Sequence, residues 1–267
     1  MNMNVHSVSI KGLRDQNEDK HEIFLNSDNK YTNFKNVNLF AVFDGHGGKD
    51  VSKYVKINLP KLLVDKKVQY PLQKDFVIGV FDKIQRELKG YNFAHKSGST
   101  SLVVINFKYN GSNYLNIINS GDCRSVLCRD NFAMPLTKDH KPHWPEEKNR
   151  IQKLGGLVKW DGHDWRIKDL SVSRSFGDID TAPYVTHRPD LFRYKLDKND
   201  KFLVLACDGL WDVMTNEEVV NFVLTNCYDS EMKNRLNKNI NIARKLAEHA
   251  LKKGSTDNIT AIVVFLK

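Results

Sequence analysis

The sequence predicts an α+β fold: a four-layer α-β-β-α sandwich of two antiparallel β-sheets flanked by helices. Three observations carry that expectation. Short apolar runs recur at residues 5–10, 21–25, 37–43, 102–107, 114–119, 201–207 and 259–266, each of strand length. Segments 50–67, 73–89, 145–154, 215–225 and 233–252 carry apolar residues at helical spacing. The order along the chain is strands, two helices, more strands, helices and a closing strand.

The opening strand, 5–10, loosely alternates apolar and polar residues and leads into Gly12-Leu13-Arg14-Asp15-Gln16-Asn17-Glu18-Asp19. Arg14, placed before acidic residues, is suited to grip a phosphate through two N–H groups, or equally to pair with Asp15 or Glu18. Run 37–43 is polar only at Asn38 and reads as a strand buried on both faces. It ends in Asp44-Gly45-His46-Gly47-Gly48, where the glycines allow close backbone approach and Gly45 can offer its carbonyl as a hard oxygen ligand. Segments 50–67 and 73–89, separated by Tyr70-Pro71, read as an antiparallel helix pair covering one sheet. Ser97-Gly98-Ser99-Thr100-Ser101 then feeds strand 102–107, its hydroxyls serving turn chemistry or the acidic site. Residues 113–129 read as a hairpin of two strands around Ser120-Gly121-Asp122-Cys123-Arg124. His140 and His143 fall in a polar loop without a paired ligand at fixed spacing, and Pro145 suits the first position of the helix to 154. An excursion at about 156–170, with Trp160 and Trp165, reads as a surface flap. Thr215-Asn216-Glu217-Glu218 is a capping box, and 233–252 reads as a longer amphipathic helix.

With 267 residues and no linker or repeat, 1–267 reads as one domain. The net charge of +9 raises a polyanionic partner. The lysines, such as Lys61, Lys66 and Lys67, are dispersed as solvated faces without interleaved aromatics, so nucleic acid is not expected. Cys123, Cys128, Cys207 and Cys227 form no CxxC or regular framework and read as packing thiols in a reducing compartment. No apolar run approaches the ~18 residues of a membrane span, Asn2 replaces the glycine that myristoylation requires, and the opening residues do not read as a signal peptide. A cytoplasmic or nuclear monomer with no membrane association is expected.

Carboxylates stand at the ends of three strand runs, as Asp44, Asp122 and Asp208, and before the starts of two, as Glu18-Asp19 and Asp257. In an antiparallel sheet the end of one strand lies beside the start of its neighbour, so these acids can gather at one rim. Clustered carboxylates need neutralising, and an all-oxygen donor set favours magnesium or manganese over zinc.

Eight ordered motifs then carry a resemblance over nearly the whole chain. They are Arg14-x-x-x-Glu18-Asp19, Phe43-Asp44-Gly45-His46-Gly47-Gly48, Ser97-Gly98-Ser99-Thr100, Gly121-Asp122-x-Arg124, Asp139-His140-Lys141-Pro142, Val172-Ser173-Arg174-x-x-Gly177-Asp178, Cys207-Asp208-Gly209-x-Trp211-Asp212 and Ser255-x-Asp257-Asn258-x-Thr260. The series resembles that of the type 2C (PPM) metal-dependent protein serine/threonine phosphatases. The resemblance implies hydrolysis of phosphoserine and phosphothreonine in protein substrates by a metal-activated water, at a centre of two Mg2+ or Mn2+ ions. It implies that Asp44 bridges both ions, with Asp208 and Asp257 on one and the Gly45 carbonyl on the other. It implies too that Glu18 and Asp19 would bind metal waters or hold the surrounding shell, and that Asp122, Asp212 and Asp208 would form a weaker third site. By the same resemblance, Arg14 would take the substrate phosphate and His46 would protonate the leaving group. Asn17, where many eukaryotic members have Met, and the unusual flap sequence are departures that leave substrate choice open. A catalytically inactive binding module on the same fold is the alternative, with a metal-dependent nuclease behind it.

Overall fold

The structure, a computed structural model, describes residues 3–26, 37–236 and 239–266. In chain order it contains β1 (Asn4–Ile10), β2 (Lys20–Phe24), β3 (Asn38–Phe43), β4 (Gly45–His46), α1 (Asp50–Val64), α2 (Lys74–Leu88), β5 (Gly98–Ser99), β6 (Ser101–Tyr109), β7 (Ser112–Ser120), β8 (Arg124–Arg129) and β9 (Phe132–Pro135). Then come α3 (Pro145–Lys153), β10 (Lys159–Trp160), β11 (Trp165–Arg166), β12 (Phe176–Gly177), β13 (Asp190–Lys195), β14 (Asp200–Ala206), α4 (Asp208–Trp211), α5 (Asn216–Cys227), α6 (Ile242–Lys252) and β15 (Ile259–Phe265).

Two antiparallel five-stranded sheets, ordered β1-β15-β14-β8-β9 and β13-β7-β6-β3-β2, form the two middle layers. Their strands follow a period of two that sends successive residues to opposite layers. In β3, Phe40 and Val42 enter the core between the sheets, where they join Leu102, Ile117, Leu203 and Ile262. Leu39, Ala41 and Phe43 point the other way and pack against Val51, Val55 and Leu59 of α1 and Phe81 and Ile84 of α2. The second sheet repeats the arrangement, with Val204, Ala261 and Val263 meeting Val219 and Val223 of α5 and Leu246 and Ala250 of α6. Both faces of both sheets are thereby covered, as the continuous apolar runs require, and the expected four layers are present.

Two expectations are corrected. Residues 113–129 are not a hairpin: β7 pairs with β6 and β13 in one sheet, and β8 pairs with β14 and β9 in the other. The turn at Ser120-Gly121-Asp122 carries the chain from one sheet to the other, so apolar runs on either side of a turn do not pair. The last helix begins at Ile242, not 233. Asp229 draws the preceding segment into a turn by accepting from the Lys233 and Asn234 backbone N–H groups at 2.8 and 3.2 Å, and Asn241 caps the helix by accepting from Arg244 N–H. Residues 237 and 238 of the expected helix lie outside the described residues, as do Met1 and Asn2. The capping box of α5 is present, with Thr215 and Glu218 reciprocally bonded. Among the described residues no helix is long and apolar enough to cross a membrane.

Candidate metal centre

The acids do share a rim, and both sheets contribute to it. Asp44 follows β3 and Asp122 follows β7 in one sheet, whereas Asp208 follows β14 and Asp257 precedes β15 in the other. Asp44, Gly45, Glu18, His46, Asp122, Asp208, Asp257 and Arg14 all line one cleft of about 560 Å3. Asp19 sits beneath it, buried. Asp212 is the exception: exposed beyond α4, it lines a neighbouring cavity with Arg124 and Trp211.

Backbone contacts fix the floor. Thr100 N–H donates to the Asp44 carbonyl at 2.8 Å, and Asp44 N–H donates to Thr100 Oγ1 at 3.2 Å. The Asn258 amide stitches the two ends of the chain together. Its Oδ1 accepts from Glu18 N–H at 2.8 Å, and its Nδ2 donates to the carbonyls of Lys11 and Gln16, each at 2.8 Å. At Gly45 a Cβ would stand 2.5 Å from the Glu18 carbonyl and 2.8 Å from Ser52 Oγ, so only glycine lets these segments approach so closely.

The carboxylates fit a divalent cation. One oxygen each from Asp44, Asp122 and Asp208 lie within 4.8 Å of one another, and a second such group joins Asp19 and Asp44 to the Cys207 sulfur. Asp19 Oδ2 and Asp122 Oδ1 are buried without a hydrogen-bond partner, which an ion or its water would relieve. Burial, then the charges of Asp208, Asp19 and Asp122, push the Asp44 carboxyl well above its ordinary range. Burial and Asp122 do the same to Asp208. Asp19 is raised to about 6, mainly by burial. Like charges gathered out of water need a counter-charge, and the hard oxygens suit Mg2+ or Mn2+. Cys207 Sγ accepts from Thr260 N–H at 3.1 Å and donates to the Asn258 carbonyl. Burial raises its pKa well above normal, leaving it a packed thiol.

Arg14 resolves differently from either pairing expected for it. Its side chain is 59% exposed and donates to Asp257 Oδ2 at 2.7 Å. His46 Nε2 lies 2.9 and 2.8 Å from the two oxygens of Asp178, which is itself buried and accepts from Ser175 Oγ. Burial alone would lower the His46 pKa, but Asp178 more than reverses this and favours the imidazolium.

Sequence reasoning assigned no role to Asp178 or Lys141. Asp178 is recruited by a three-strand strip, β12-β5-β4, that draws Phe176-Gly177 alongside Gly98-Ser99 and Gly45-His46. Lys141 Nζ lies 2.6 Å from Asp122 Oδ2 and 4.0 Å from Asp208 Oδ2. The signal was a lysine beside a histidine in an otherwise polar loop, too weak to separate from a solvated residue. In the flap, Trp160 is exposed, Trp165 lies tilted against His143 and Trp160, and Arg166 and Asp169 reach the cleft wall.

A sequence model of the family described as Protein phosphatase 2C matches residues 3–259. Probable protein phosphatase 2C 45 of Oryza sativa subsp. japonica is 36% identical over 265 residues, covering 96% of this chain and 85% of the rice protein. A PP2C-like domain-containing protein of Acanthamoeba polyphaga mimivirus is 48% identical over 167 residues, covering 57% of this chain and 93% of the viral one. Among solved structures, a serine-threonine phosphatase 2C from Toxoplasma gondii superposes with a TM-score of 0.77 at 24% identity, covering 99% of this chain and 95% of that one. A C. elegans sex-determining protein superposes at 0.84 with 21% identity, covering 100% of this chain and 65% of that one.

Proposed function

We propose that this chain, which belongs to the protein phosphatase 2C family, hydrolyses phosphoserine and phosphothreonine in proteins with the help of bound Mg2+ or Mn2+. The observation that carries the reading is the convergence of Asp44, Asp122, Asp208 and Asp257 from two sheets on one cleft, beside an exposed arginine and a carboxylate-held histidine.

Asp44, the Gly45 carbonyl, Asp208 and Asp257 would hold two ions, with Glu18 and Asp19 ordering the water around them. Asp122 and Asp212, with Asp208, would hold a weaker third. When bound, such ions supply Lewis acidity that screens phosphoryl oxygens and acidifies water. The chain does the rest. Arg14 exchanges part of its contact with Asp257 for the incoming phosphate, since a guanidinium has five donors and this one is solvated. The leaving serine or threonine oxygen needs a proton. His46 holds one on Nδ1, the ring nitrogen that Asp178 leaves unbonded, while Asp178 fixes the ring through Nε2. Asp178 is thus a positioning residue. The charge favouring imidazolium keeps that proton in place until the alkoxide develops.

The deciding measurement is phosphate release from a phosphothreonine peptide while Mn2+ and Mg2+ are titrated, with Asp208→Asn alongside. Metal-dependent release by the native chain, lost in the variant, is expected. No release from folded, metal-loaded protein would replace this reading with a binding module.

A further inference from the structure

Lys141 is placed where a cation is called for. Its side chain is only 14% exposed, and the ammonium contacts Asp122, whose side chain is fully buried, while facing Asp208 at 4.0 Å. The other Asp122 oxygen has no partner, and Asp44, Asp122 and Asp208 converge closely enough to share one ion.

The backbone carrying Lys141 is clamped. His140 N–H donates to the Gly121 carbonyl at 3.0 Å, and Gly121 N–H donates to His140 Nδ1 at 3.1 Å. The other imidazole nitrogen donates to Asp190 at 3.0 Å, and Asp139 is held in a fork by Arg124 at 2.6 and 3.1 Å. Asp122 and Lys141 therefore face each other across a fixed gap. Only the lysine's four-carbon stem is free to rearrange.

We infer that Lys141 is a tethered cation that competes with a divalent ion for the Asp122–Asp208 corner, and that its side chain must swing away before an ion occupies Asp122. This rests on the reading that the neighbouring acids bind metal. The physical case is short. An ammonium satisfies one Asp122 oxygen and offsets the repulsion among three carboxylates, so the corner keeps its shape without a metal there. A divalent ion arriving at the same oxygens meets a unit positive charge a few ångströms away in a poorly solvated site, where repulsion is strong. The corner is consequently weak for metal because of Lys141, and not through any lack of carboxylates.

The test is Mn2+ binding by calorimetry and by the paramagnetic resonance of free Mn2+, on native protein, Lys141→Met and Lys141→Arg. Lys141→Met should bind one further equivalent at least tenfold more tightly than the native chain, and Lys141→Arg should not. Adding Asp122→Asn to Lys141→Met should abolish the gain. Unchanged weak binding in Lys141→Met would overturn the inference, while the tight class seen in every variant reports separately on the metal reading. The unmutated chain gives a second readout: acylation of Lys141 followed by peptide mass spectrometry. Labelling should rise as Mn2+ enters the weak-binding range, and labelling indifferent to Mn2+ would equally overturn the competition.

Discussion

His46 and Asp178 lie 132 positions apart and meet only because Gly98 leaves room between them. A Cβ at Gly98 would overlap both the Asp178 carboxylate and the His46 ring. Gly98→Ala should therefore lower phosphopeptide turnover much as His46→Gln does, by roughly 10²- to 10⁴-fold for a displaced proton donor. On an aryl phosphate, whose leaving group needs no proton, both losses should be far smaller. Steady-state kinetics on the two substrates checks this, and equal losses would remove His46 from proton donation. Gly79→Ala is the contrasting case. That glycine lies inside α2 with open space around it, so alanine should add about 0.5–1 kcal/mol of stability by denaturant titration with turnover unchanged. At this scale the sequence spoke clearly where a candidate ligand sits at one end of an apolar strand, after it at Asp44 and Asp208 and before it at Asp257. It was silent where a loop delivers the residue, as with Asp178 and Lys141, because local pattern does not encode which distant segments a turn brings together.

Among the elements, α3 shows how charge fastens a helix to the site's supporting loops. Glu147, on its buried face, accepts from Arg174 at 2.6 and 3.0 Å and from Arg150 at 2.8 and 3.2 Å, and Arg174 also reaches Asp190, the partner of His140. Burial by itself would raise the Glu147 pKa, but the two guanidinium groups bring it down to about 2. A carboxylate with a depressed pKa contributes its full stability above the unfolded value, near 4.5, and loses it as pH falls toward 2. Melting temperature should accordingly fall through that window, and less steeply for Glu147→Gln, which starts lower at neutral pH; thermal scans between pH 6 and about 2 measure it. The elements themselves were largely legible, since α1, α2 and β3 each obey one period. The errors came where period has no say. The turn at Ser120-Gly121-Asp122 looks alike whether the chain folds back in its own sheet or crosses to another. Asparagines around 234–241 favour caps and turns over helix interior, which the cationic spacing of that stretch conceals.

At the scale of the whole molecule, the proposed metal ions would join the two sheets, since Asp44 and Asp122 come from one and Asp208 and Asp257 from the other. Without ions, Asp44 and Asp208 repel each other and their neighbours across the rim, and Lys141 offsets this only at the Asp122 corner. Mn2+ at a hundred times its dissociation constant should add about 2.7 kcal/mol, a rise of roughly 5–10 °C in melting temperature for a chain of this size. Asp44→Asn should melt higher than the native protein in chelator, through relief of repulsion, and should lose most of the rise on adding Mn2+. A native melting point indifferent to Mn2+ would speak against ions joining the sheets.

The pairing of β1 with β15 sets a timetable for this protein's birth. Residues 4–10 are made well before their partner in the sheet, residues 259–265, and Asp257 arrives only with that partner. β15 also separates β1 from β14, so half of the sandwich waits with a central strand missing. The early strand must stay unpaired, and exposed to wrong partners, while the intervening chain is made. Through that interval the cleft lacks one wall and one carboxylate, so the proposed metal centre cannot assemble until residues 257–265 have been made.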